Sequence, residues 1–535
     1  MHISFFKRYF AVVVMAFVPL LLNLACGRDS LELLGWQRSQ NCGVGSLLLS
    51  SPSLMAACPT TSTKVTHDFN GDGIADVLVG ANGDDDGGDN AGAVYIFYGS
   101  TSLASSIDAS LANVKLIGED ASDAFGISVS GAGDVNKDGI DDILVGASLD
   151  DDGGSASGVA FIFYGSASLA SSIDGSAANV KLIGEDASDR FGNSVSGAGD
   201  VNNDGFADAI VGAHLDDDGG ADAGAAYIFY GATSLASSID ASLADVKLIG
   251  EDASDLFGFS VSGAGDINNN GIADVLVGAY QDDDHLDDDG GADAGAAYIF
   301  YGATSLASSI DASLANVKLI GEDASDKFGF SVSGAGDVNN NGIADVLVGA
   351  YQDDDGGSNA GAAYIFYGST SLASSIDASL ADVKLIGEDA SDVFGNSVSG
   401  AGDVNKDGFA DILVAARLDD DGGSNAGAAY IFYGSTSLAS SIDASLANVK
   451  LIGEDADDTF GRSVSGAGDV NNDGFADVLV GAYQDDDGGS SSGVAFIFYG
   501  STSLASSIDG SAANVKLIGE DAGDQLGISV SGGAQ

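Results

Sequence analysis

A nine-residue segment rich in oxygen-bearing side chains recurs along this 535-residue chain. Its first copy reads Asp68-Phe-Asn70-Gly-Asp72-Gly73-Ile-Ala-Asp76, with carboxylate or amide oxygens at positions 1, 3, 5 and 9 and glycine at position 6. A hard divalent cation such as Ca²⁺ takes about six to eight oxygen ligands. These four side chains and the backbone carbonyl at position 7 can wrap one ion, while glycine permits the sharp turn that the loop needs.

The segment occurs seven times, and successive copies begin 66 residues apart except for one step of 71. A single Asn-Asp-Gly run usually marks only a β-turn. Seven copies that all keep Asp at positions 1 and 9 and Gly at position 6 favour a metal site instead. We call these segments metal loops 1 to 7, in chain order. Their candidate ligands are Asp68, Asn70, Asp72, Asp76, Asp134, Asn136, Asp138, Asp142, Asp200, Asn202, Asp204, Asp208, Asp266, Asn268, Asn270, Asp274, Asp337, Asn339, Asn341, Asp345, Asp403, Asn405, Asp407, Asp411, Asp469, Asn471, Asp473 and Asp477.

The loops differ from an EF-hand, which needs Glu at position 12. That position is Val79 in loop 1 and Val145 in loop 2, and strand-like segments flank both loops. Magnesium is the alternative ion, but it prefers stricter octahedral geometry with several waters. Loops 4 and 5 carry Asn270 and Asn341 at position 5, where the others carry Asp, so these two loops are expected to bind calcium more weakly.

Each repeat reads as four short apolar strands bounded by Gly, Asp or Ser. In the second repeat the strands cover residues 125–130, 143–147, 159–164 and 180–184. The second and third are apolar on both faces, which stacked sheets would bury. The sequence therefore predicts an all-β, seven-bladed β-propeller of four-stranded antiparallel blades. The first repeat lacks a Phe-Gly strand, and Leu526-Gly-Ile-Ser-Val-Ser at the C-terminus is expected to supply it and close the ring. The competing interpretation places Lys64-Val65-Thr66 in that slot.

Several motifs recur in a fixed order in every repeat and resemble the FG-GAP repeat of the integrin α propeller. The motifs are Phe125-Gly126, Gly133-Asp134, the metal loop, Val145-Gly146-Ala147 and the aromatic strand that follows. The resemblance covers residues 62–535. It implies a propeller with about one calcium ion per blade, acting at the cell surface or outside the cell as an adhesion or ligand-binding module. The proline that usually follows Gly-Ala is replaced, for example by Ser148 and Arg417.

The N-terminal residues are expected to direct export. Lys7 and Arg8 precede an apolar run from Tyr9 to Leu22, which is short for a membrane span of about 20 residues. Residues 1–26 are therefore interpreted as a signal peptide, with a retained anchor as the alternative. Cys26 is a candidate for lipidation, and residues 27–61 are interpreted as a linker or tether. Cys42 and Cys58 could form a disulfide, but a free pair remains open.

The charge excludes several classes of partner. The chain carries 80 acidic and 18 basic residues, a net charge of −62, which repels nucleic acid and anionic lipid. Any membrane attachment is therefore expected to run through an N-terminal lipid, and the ring is expected to be monomeric. The expected partner besides calcium is an extracellular protein or glycan. A structural coat or matrix protein without a discrete ligand site is the alternative.

Two further acidic motifs recur, Asp150-Asp-Asp-Gly-Gly154 and Gly118-Glu119-Asp-x-x-Asp123. In a four-strand meander both emerge at the end of the blade opposite the metal loops. They predict a ring of uncompensated acids, either as a solvated rim or as a surface for cationic ligands. Catalysis is not expected, because no histidine recurs at a common repeat position and no nucleophile elbow or phosphate loop is present. An enzyme of unknown type is the remaining, least favoured class.

Overall fold

The computed structural model describes residues 65–283 and 292–533. In this part of the chain, seven sheets follow one another, each built mainly from one repeat. The inner strands of neighbouring sheets contact one another around the whole ring. The predicted all-β, seven-bladed propeller is therefore confirmed. We number the sheets 1 to 7 by the metal loop that leads into each one.

Four strands of each sheet form an antiparallel meander from the axis outwards. The inner strands, from sheet 2 to sheet 7 and then sheet 1, are Ser128–Gly133, Ser194–Gly199, Ser260–Gly265, Phe328–Gly336, Phe394–Gly402, Ser463–Gly468 and Ser529–Ser531. The second strands, from sheet 1, are Val77–Ala81, Asp142–Ala147, Asp208–Ala213, Asp274–Ala279, Asp345–Ala350, Asp411–Ala416 and Asp477–Ala482. The third strands are Ala93–Phe97, Val159–Phe163, Ala225–Phe229, Ala296–Phe300, Ala362–Phe366, Ala428–Phe432 and Val494–Phe498. The fourth strands are Val114–Ile117, Val180–Ile183, Val246–Ile249, Val317–Ile320, Val383–Ile386, Val449–Ile452 and Val515–Ile518.

Burial explains why these residues form strands in this order. Every residue of the second and third strands is buried, whereas the Val-Lys-Leu-Ile fourth strand alternates between buried and half-buried positions. The core lies between adjacent sheets, where for example Leu144 of sheet 2 packs in one cluster with Val211 and Tyr227 of sheet 3. Burying each such large apolar side chain contributes about 1.5–3 kcal/mol. The blades therefore stabilise one another through sheet-to-sheet stacking.

A fifth, parallel strand extends each sheet and corrects the prediction of four. A Ser-Ile-Asp segment between the third and fourth strands of one repeat pairs with the fourth strand of the preceding sheet, as in Leu116↔Ile173. A 3-10 turn follows, and the strand's Asp caps it, as Asp174 accepts from the Ser176 N–H. The parallel strands are Ser172–Asp174, Ser238–Asp240, Ser309–Asp311, Ser375–Asp377, Ser441–Asp443, Ser507–Asp509 and Ser106–Asp108, ordered by sheet. The 3-10 turns are Ala109–Leu111, Gly175–Ala177, Ala241–Leu243, Ala312–Leu314, Ala378–Leu380, Ala444–Leu446 and Gly510–Ala512.

The ring closes as expected, with the C-terminal strand in sheet 1. Ser529–Ser531 lies antiparallel to Val77–Ala81, with Val79 opposite Val530. A second pairing closes the outer edge, because Ser106–Asp108 runs parallel to Val515–Ile518 of sheet 7. The C-terminal strand, and not the segment around Val65, therefore occupies the inner slot of sheet 1.

Several expectations concern residues outside the described ranges. These are the signal peptide at residues 1–26, the tether at residues 27–61, lipidation of Cys26 and pairing of Cys42 with Cys58. Among the described residues, no helix is long and apolar enough to cross a membrane.

Candidate functional site

Each of the seven metal loops leads into the second strand of its sheet at one end of the ring. Backbone amides fold each loop around its first carboxylate. In loop 1, Asp68 Oδ1 accepts the Asp72 N–H at 2.9 Å and Asp68 Oδ2 accepts the Gly73 N–H at 2.8 Å. The same two bonds occur in the other six loops. Gly73 has φ +87°, a left-handed value that explains why position 6 is always glycine.

The side chains at positions 3 and 5 turn toward the same space as the first carboxylate. Asn70 Oδ1 accepts the Asp72 N–H at 2.8 Å, so it shares a donor with Asp68 and the two oxygens lie close together. Asp72 in turn accepts the Ile74 N–H at 3.0 Å. In loop 7 both side-chain amide atoms of Asn471 are buried without a hydrogen-bond partner among the described residues. The Asn471 oxygen is therefore an acceptor that no described protein group satisfies.

The position 9 carboxyls are fully buried, and each accepts two backbone amides. Asp76 accepts the Phe69 N–H at 3.0 Å and the Gly99 N–H at 2.9 Å, which ties the loop to the end of the third strand. Burial raises the pKa of Asp76 to about 8, although these two bonds lower it, and the carboxylates of Asp72 and Asp68 raise it further. A carboxyl that is buried beside two other carboxylates is stabilised when it is protonated or when a cation lies next to it.

In the other six loops burial also raises the pKa of the position 9 carboxyl, by amounts that differ between loops. Burial raises the pKa of Asp477 to about 8, and that of Asp142, Asp208, Asp345 and Asp411 to about 7. The pKa of Asp274 in loop 4 rises only to about 6, and its carboxylate neighbour is Asp266 alone, because position 5 is Asn270. The donor set is made entirely of oxygens and is rich in carboxylates, so it fits a hard cation such as Ca²⁺.

The recurrent acids at the opposite end, which we call the distal end, are compensated by lysine. Lys115 of the fourth strand contacts Asp84 at 2.9 Å, Asp86 at 2.7 Å and Glu520 of the preceding repeat. The Tyr95 hydroxyl donates to Asp84 at 2.6 Å and to Glu520 at 2.9 Å. The prediction of uncompensated acids is therefore corrected: one lysine per sheet pairs with two or three of these acids, and a net negative charge remains. The same lysine position pairs with acids in the other six sheets, through Lys181, Lys247, Lys318, Lys384, Lys450 and Lys516.

Two positions at the distal end vary among repeats that are otherwise nearly identical. The residue after Phe/Leu-Gly begins the inner strand, and the residue after the second strand's final Ala lies beside it. In sheets 1 and 2 these positions carry Asn82, Ile127, Ser148 and Ile528. In sheets 3 to 7 they include the aromatic and basic residues that we call the distal arc: His214, Phe259, Tyr280, Phe330, Tyr351, Arg417, Arg462 and Tyr483.

The rings of the distal arc contact one another both within a sheet and between neighbouring sheets. The Phe259 and Phe330 centroids lie 5.0 Å apart, and the Phe330 and Tyr351 centroids 4.5 Å apart. Arg462 lies over the Tyr483 ring at 5.9 Å. Burial lowers the pKa of Arg462, and the positive charge of Arg417 lowers it further. Neither arginine has a carboxylate within ion-pair distance among the described residues. The arc thus combines half-buried aromatic rings with two arginines that have no ion-paired carboxylate in the described part of the chain.

Family comparisons agree with the order of the motifs in each sheet. One FG-GAP repeat family matches residues 61–97, 394–432 and 460–498, and a second matches residues 179–229 and 316–366. The chain is an FG-GAP repeat protein. The repeats outside these matched ranges have the same order of strands.

The FG-GAP propeller is also similar to integrin α chains. It is 30% identical over 232 residues to integrin alpha pat-2 of Caenorhabditis briggsae, covering 40% of this chain and 17% of that protein. It is 33% identical over 186 residues to integrin alpha-5 of Xenopus laevis, covering 35% of this chain and 17% of that protein. These relatives are thus much longer than the segment they share. Among solved structures, a WD40 domain of Toxoplasma gondii coronin aligns over 76% of this chain and 71% of its own, with 8% identity and a TM-score of 0.39.

The described histidines pack between neighbouring sheets. His67 Nε2 accepts the Gly131 N–H at 3.2 Å, and burial lowers the pKa of His67 to about 4. His214 packs against Phe259 with centroids 5.4 Å apart, and burial also lowers its pKa to about 4. His2 and His285 lie outside the described residues.

In chelator, the protein is expected to become less stable as pH rises from 5 to 8. The position 9 carboxyls have folded pKa values of about 6 to 8, above the ordinary 3.8, so the folded state holds protons that the unfolded state releases. Their contribution is complete below pH 4 and is lost as pH rises through 6 to 8. His67 and His214 act in the opposite direction below pH 6.5, but they are only two groups. Melting curves at pH 5 and 8 in EDTA measure this; a higher melting temperature at pH 8 contradicts it.

Proposed function

We propose that this protein is an exported, calcium-stabilised FG-GAP propeller whose distal arc binds an extracellular protein or glycan. Residues 1–26 would direct export, and attachment to a membrane would run only through a lipid on Cys26. The observation that carries the ligand-binding part is the distal arc, because it breaks the near identity of the repeats at two adjoining positions. A purely structural coat offers no reason for such changes.

The metal loops support calcium as the stabilising ion, about one per blade. The side chains at positions 1, 3, 5 and 9 would hold it, as Asp68, Asn70, Asp72 and Asp76 do in loop 1. The ion would neutralise carboxylates that otherwise repel one another across a buried position 9. Its contribution is therefore to the folded state, and no catalytic role is assigned to it.

The composition of the distal arc supports a binding surface. Tyrosine and arginine are enriched among the residues that contribute most to protein interfaces, because they combine large contact area with hydrogen-bond donors. Arg417 and Arg462 have no ion-paired carboxylate among residues 65–283 and 292–533, in a chain of net charge −62. A ligand that presents a carboxylate beside an apolar face would satisfy both guanidinium groups and cover the rings. The similarity to integrin α chains supports the proposal that this binding serves adhesion.

The arginine pair is expected to be needed for ligand binding but not for folding. An Arg417→Ala/Arg462→Ala variant, screened against protein and glycan arrays with and without calcium, should lose at least tenfold in affinity for any ligand that the native protein binds, since a lost charge-assisted contact costs about 1.5–3 kcal/mol. The matched control is Ser148→Ala/Asn193→Ala, which alters the equivalent positions in sheets 2 and 3. Absence of any calcium-dependent ligand would favour the structural coat.

Loops 4 and 5 are expected to bind calcium more weakly than the other five. Their position 5 is Asn270 or Asn341 instead of Asp, so each of these loops offers one carboxylate fewer. Restoring the charge with Asn270→Asp and Asn341→Asp should raise affinity about tenfold at these loops in a calorimetric titration. The matched control is Asn269→Asp with Asn340→Asp, at position 4, outside the ligand set. Equal affinity at all seven native loops would contradict the prediction.

A further inference from the structure

Two of the seven sheets carry a different version of the distal carboxylate cluster. In sheets 1, 3, 4, 5 and 6 the third strand has a buried tyrosine: Tyr95, Tyr227, Tyr298, Tyr364 and Tyr430. Sheets 2 and 7 carry Phe161 and Phe496 at that position. Both phenylalanines are 1% exposed, so they take the tyrosine's place in the core but bring no hydroxyl.

In the tyrosine sheets, the first Asp of the Asp-Asp-Asp motif is fully satisfied. The Tyr364 hydroxyl donates to Asp353 at 2.7 Å, and Lys384 contacts the same carboxylate at 3.0 Å. Lys384 also contacts Glu322 and, at 2.7 Å, Asp355. The same tyrosine and lysine contacts reach the first Asp in the other four sheets of this type.

In the phenylalanine sheets, the first Asp is left without these partners. Asp150 and Asp485 are each 2% exposed, and their Oδ2 atoms are buried without a hydrogen-bond partner among the described residues. Lys181 contacts Glu119 and, at 3.0 Å, Asp152, but not Asp150. Ligand oxygens of Glu119, Asp150 and Asp152 nevertheless lie within 4.8 Å of one another. Three carboxylates thus converge beside a single lysine, which leaves two negative charges and one orphaned oxygen.

The same two sheets share a second change that fixes the loop bearing this aspartate. Ser157 and Ser492 are fully buried where the tyrosine sheets have alanine, such as Ala91. The Ser157 hydroxyl accepts the Gly153 N–H at 3.1 Å, and the Ser492 hydroxyl accepts the Gly488 N–H at 3.1 Å. The loss of the tyrosine hydroxyl is therefore accompanied by a bond that holds the Asp-Asp-Asp loop in place. Two separate copies carry this combination, and the five others lack it.

We propose that sheets 2 and 7 each hold a divalent cation of the calcium class at this distal cluster. Glu119, Asp150 and Asp152 supply the oxygens in sheet 2, and Glu454, Asp485 and Asp487 supply them in sheet 7. A hard cation satisfies the orphaned Oδ2 and balances the two charges that lysine leaves over. These two sites lie at the end of the ring opposite the metal loops and do not depend on them.

The test restores the residue that the five other sheets use. Calcium bound per chain is counted by equilibrium dialysis for the native protein and for Phe161→Tyr/Phe496→Tyr, at a free calcium concentration that saturates the native protein. The variant should bind two ions fewer, because the new hydroxyls bond Asp150 and Asp485 as Tyr95 bonds Asp84. Asp150→Asn/Asp485→Asn should lose the same two ions, which separates loss of the site from a change in packing.

The difference in the number of bound ions between the native protein and the variants reports on these two sites alone and not on the metal loops. If the loops bind calcium, the two-ion loss occurs against a high total; if they do not, the native protein binds two ions and the variant none. Far-UV circular dichroism checks that both variants fold. Equal ion counts for the native protein and a folded Phe161→Tyr/Phe496→Tyr variant would overturn the proposal and assign the space beside Asp150 to water.

Discussion

Chelation of calcium is expected to lower the melting temperature of this propeller by about 13–26 °C. An ion bound only by the folded state contributes about 2.7 kcal/mol per site at a hundredfold excess over its dissociation constant. The five loops with three carboxylates would together contribute on the order of 13 kcal/mol, and one kcal/mol shifts the melting temperature of a chain of this size by about 1–2 °C. Removing the ions also leaves seven buried carboxyls facing charged neighbours, as Asp76 faces Asp72 and Asp68.

Melting followed by circular dichroism at pH 7.5, in 1 mM calcium and in excess EGTA, measures the shift. Magnesium at the same concentration is the ion control, and it should restore little of the loss. A variant with Asp68→Asn and Asp134→Asn, which weakens two loops, should melt at an intermediate temperature in calcium. In EGTA its melting temperature should equal that of the native protein. A melting temperature that does not respond to chelator would remove the calcium assignment of the loops.

The repeating part of the sequence predicts most of this fold. The seven loops and the strand lengths follow from the regular spacing of the repeats. The pairing of Ser529–Ser531 with Val77–Ala81 follows from the inner-strand segment that the first repeat lacks. The parallel strand was missed because three residues, such as Ser172–Asp174, are too few to show a strand pattern. It also pairs with the preceding repeat, and the composition of a serine-rich connection does not reveal a pairing partner.

The compensation of the distal acids could not be read from the sequence. Lys115 contacts Glu520 across the closure, and each equivalent lysine reaches an acid of the preceding repeat. Such contacts depend on which face of the fourth strand the lysine occupies and on the path of the connection to the next sheet. The sequence did indicate the distal arc, because two positions vary among repeats that are otherwise nearly identical. Only the fold shows that both columns meet at the start of the inner strand and the end of the second strand.

Removing the closing strand is expected to destabilise the ring by on the order of 5–10 kcal/mol and to cause self-association. A chain that ends at Asp524 loses the buried side chains of Leu526, Ile528 and Val530, each worth about 1.5–3 kcal/mol. It also leaves Val77–Ala81 with an unpaired edge at the axis, and an exposed strand edge pairs readily with another chain. Chemical denaturation and analytical ultracentrifugation measure the two effects.

Moving the strand to the start of the chain tests whether stability depends on the contacts of the strand or on its position in the sequence. Gly533 lies against Thr66, so residues 525–533 can be joined directly ahead of Thr66 and still reach sheet 1. In the other six sheets the inner strand already precedes its metal loop in this way, as Ser128–Gly133 precedes Asp142–Ala147. This rearranged chain should therefore recover the native stability and remain monomeric, whereas the truncated chain does not. A truncated chain as stable as the native protein would show that Ser529–Ser531 is not what holds sheets 1 and 7 together.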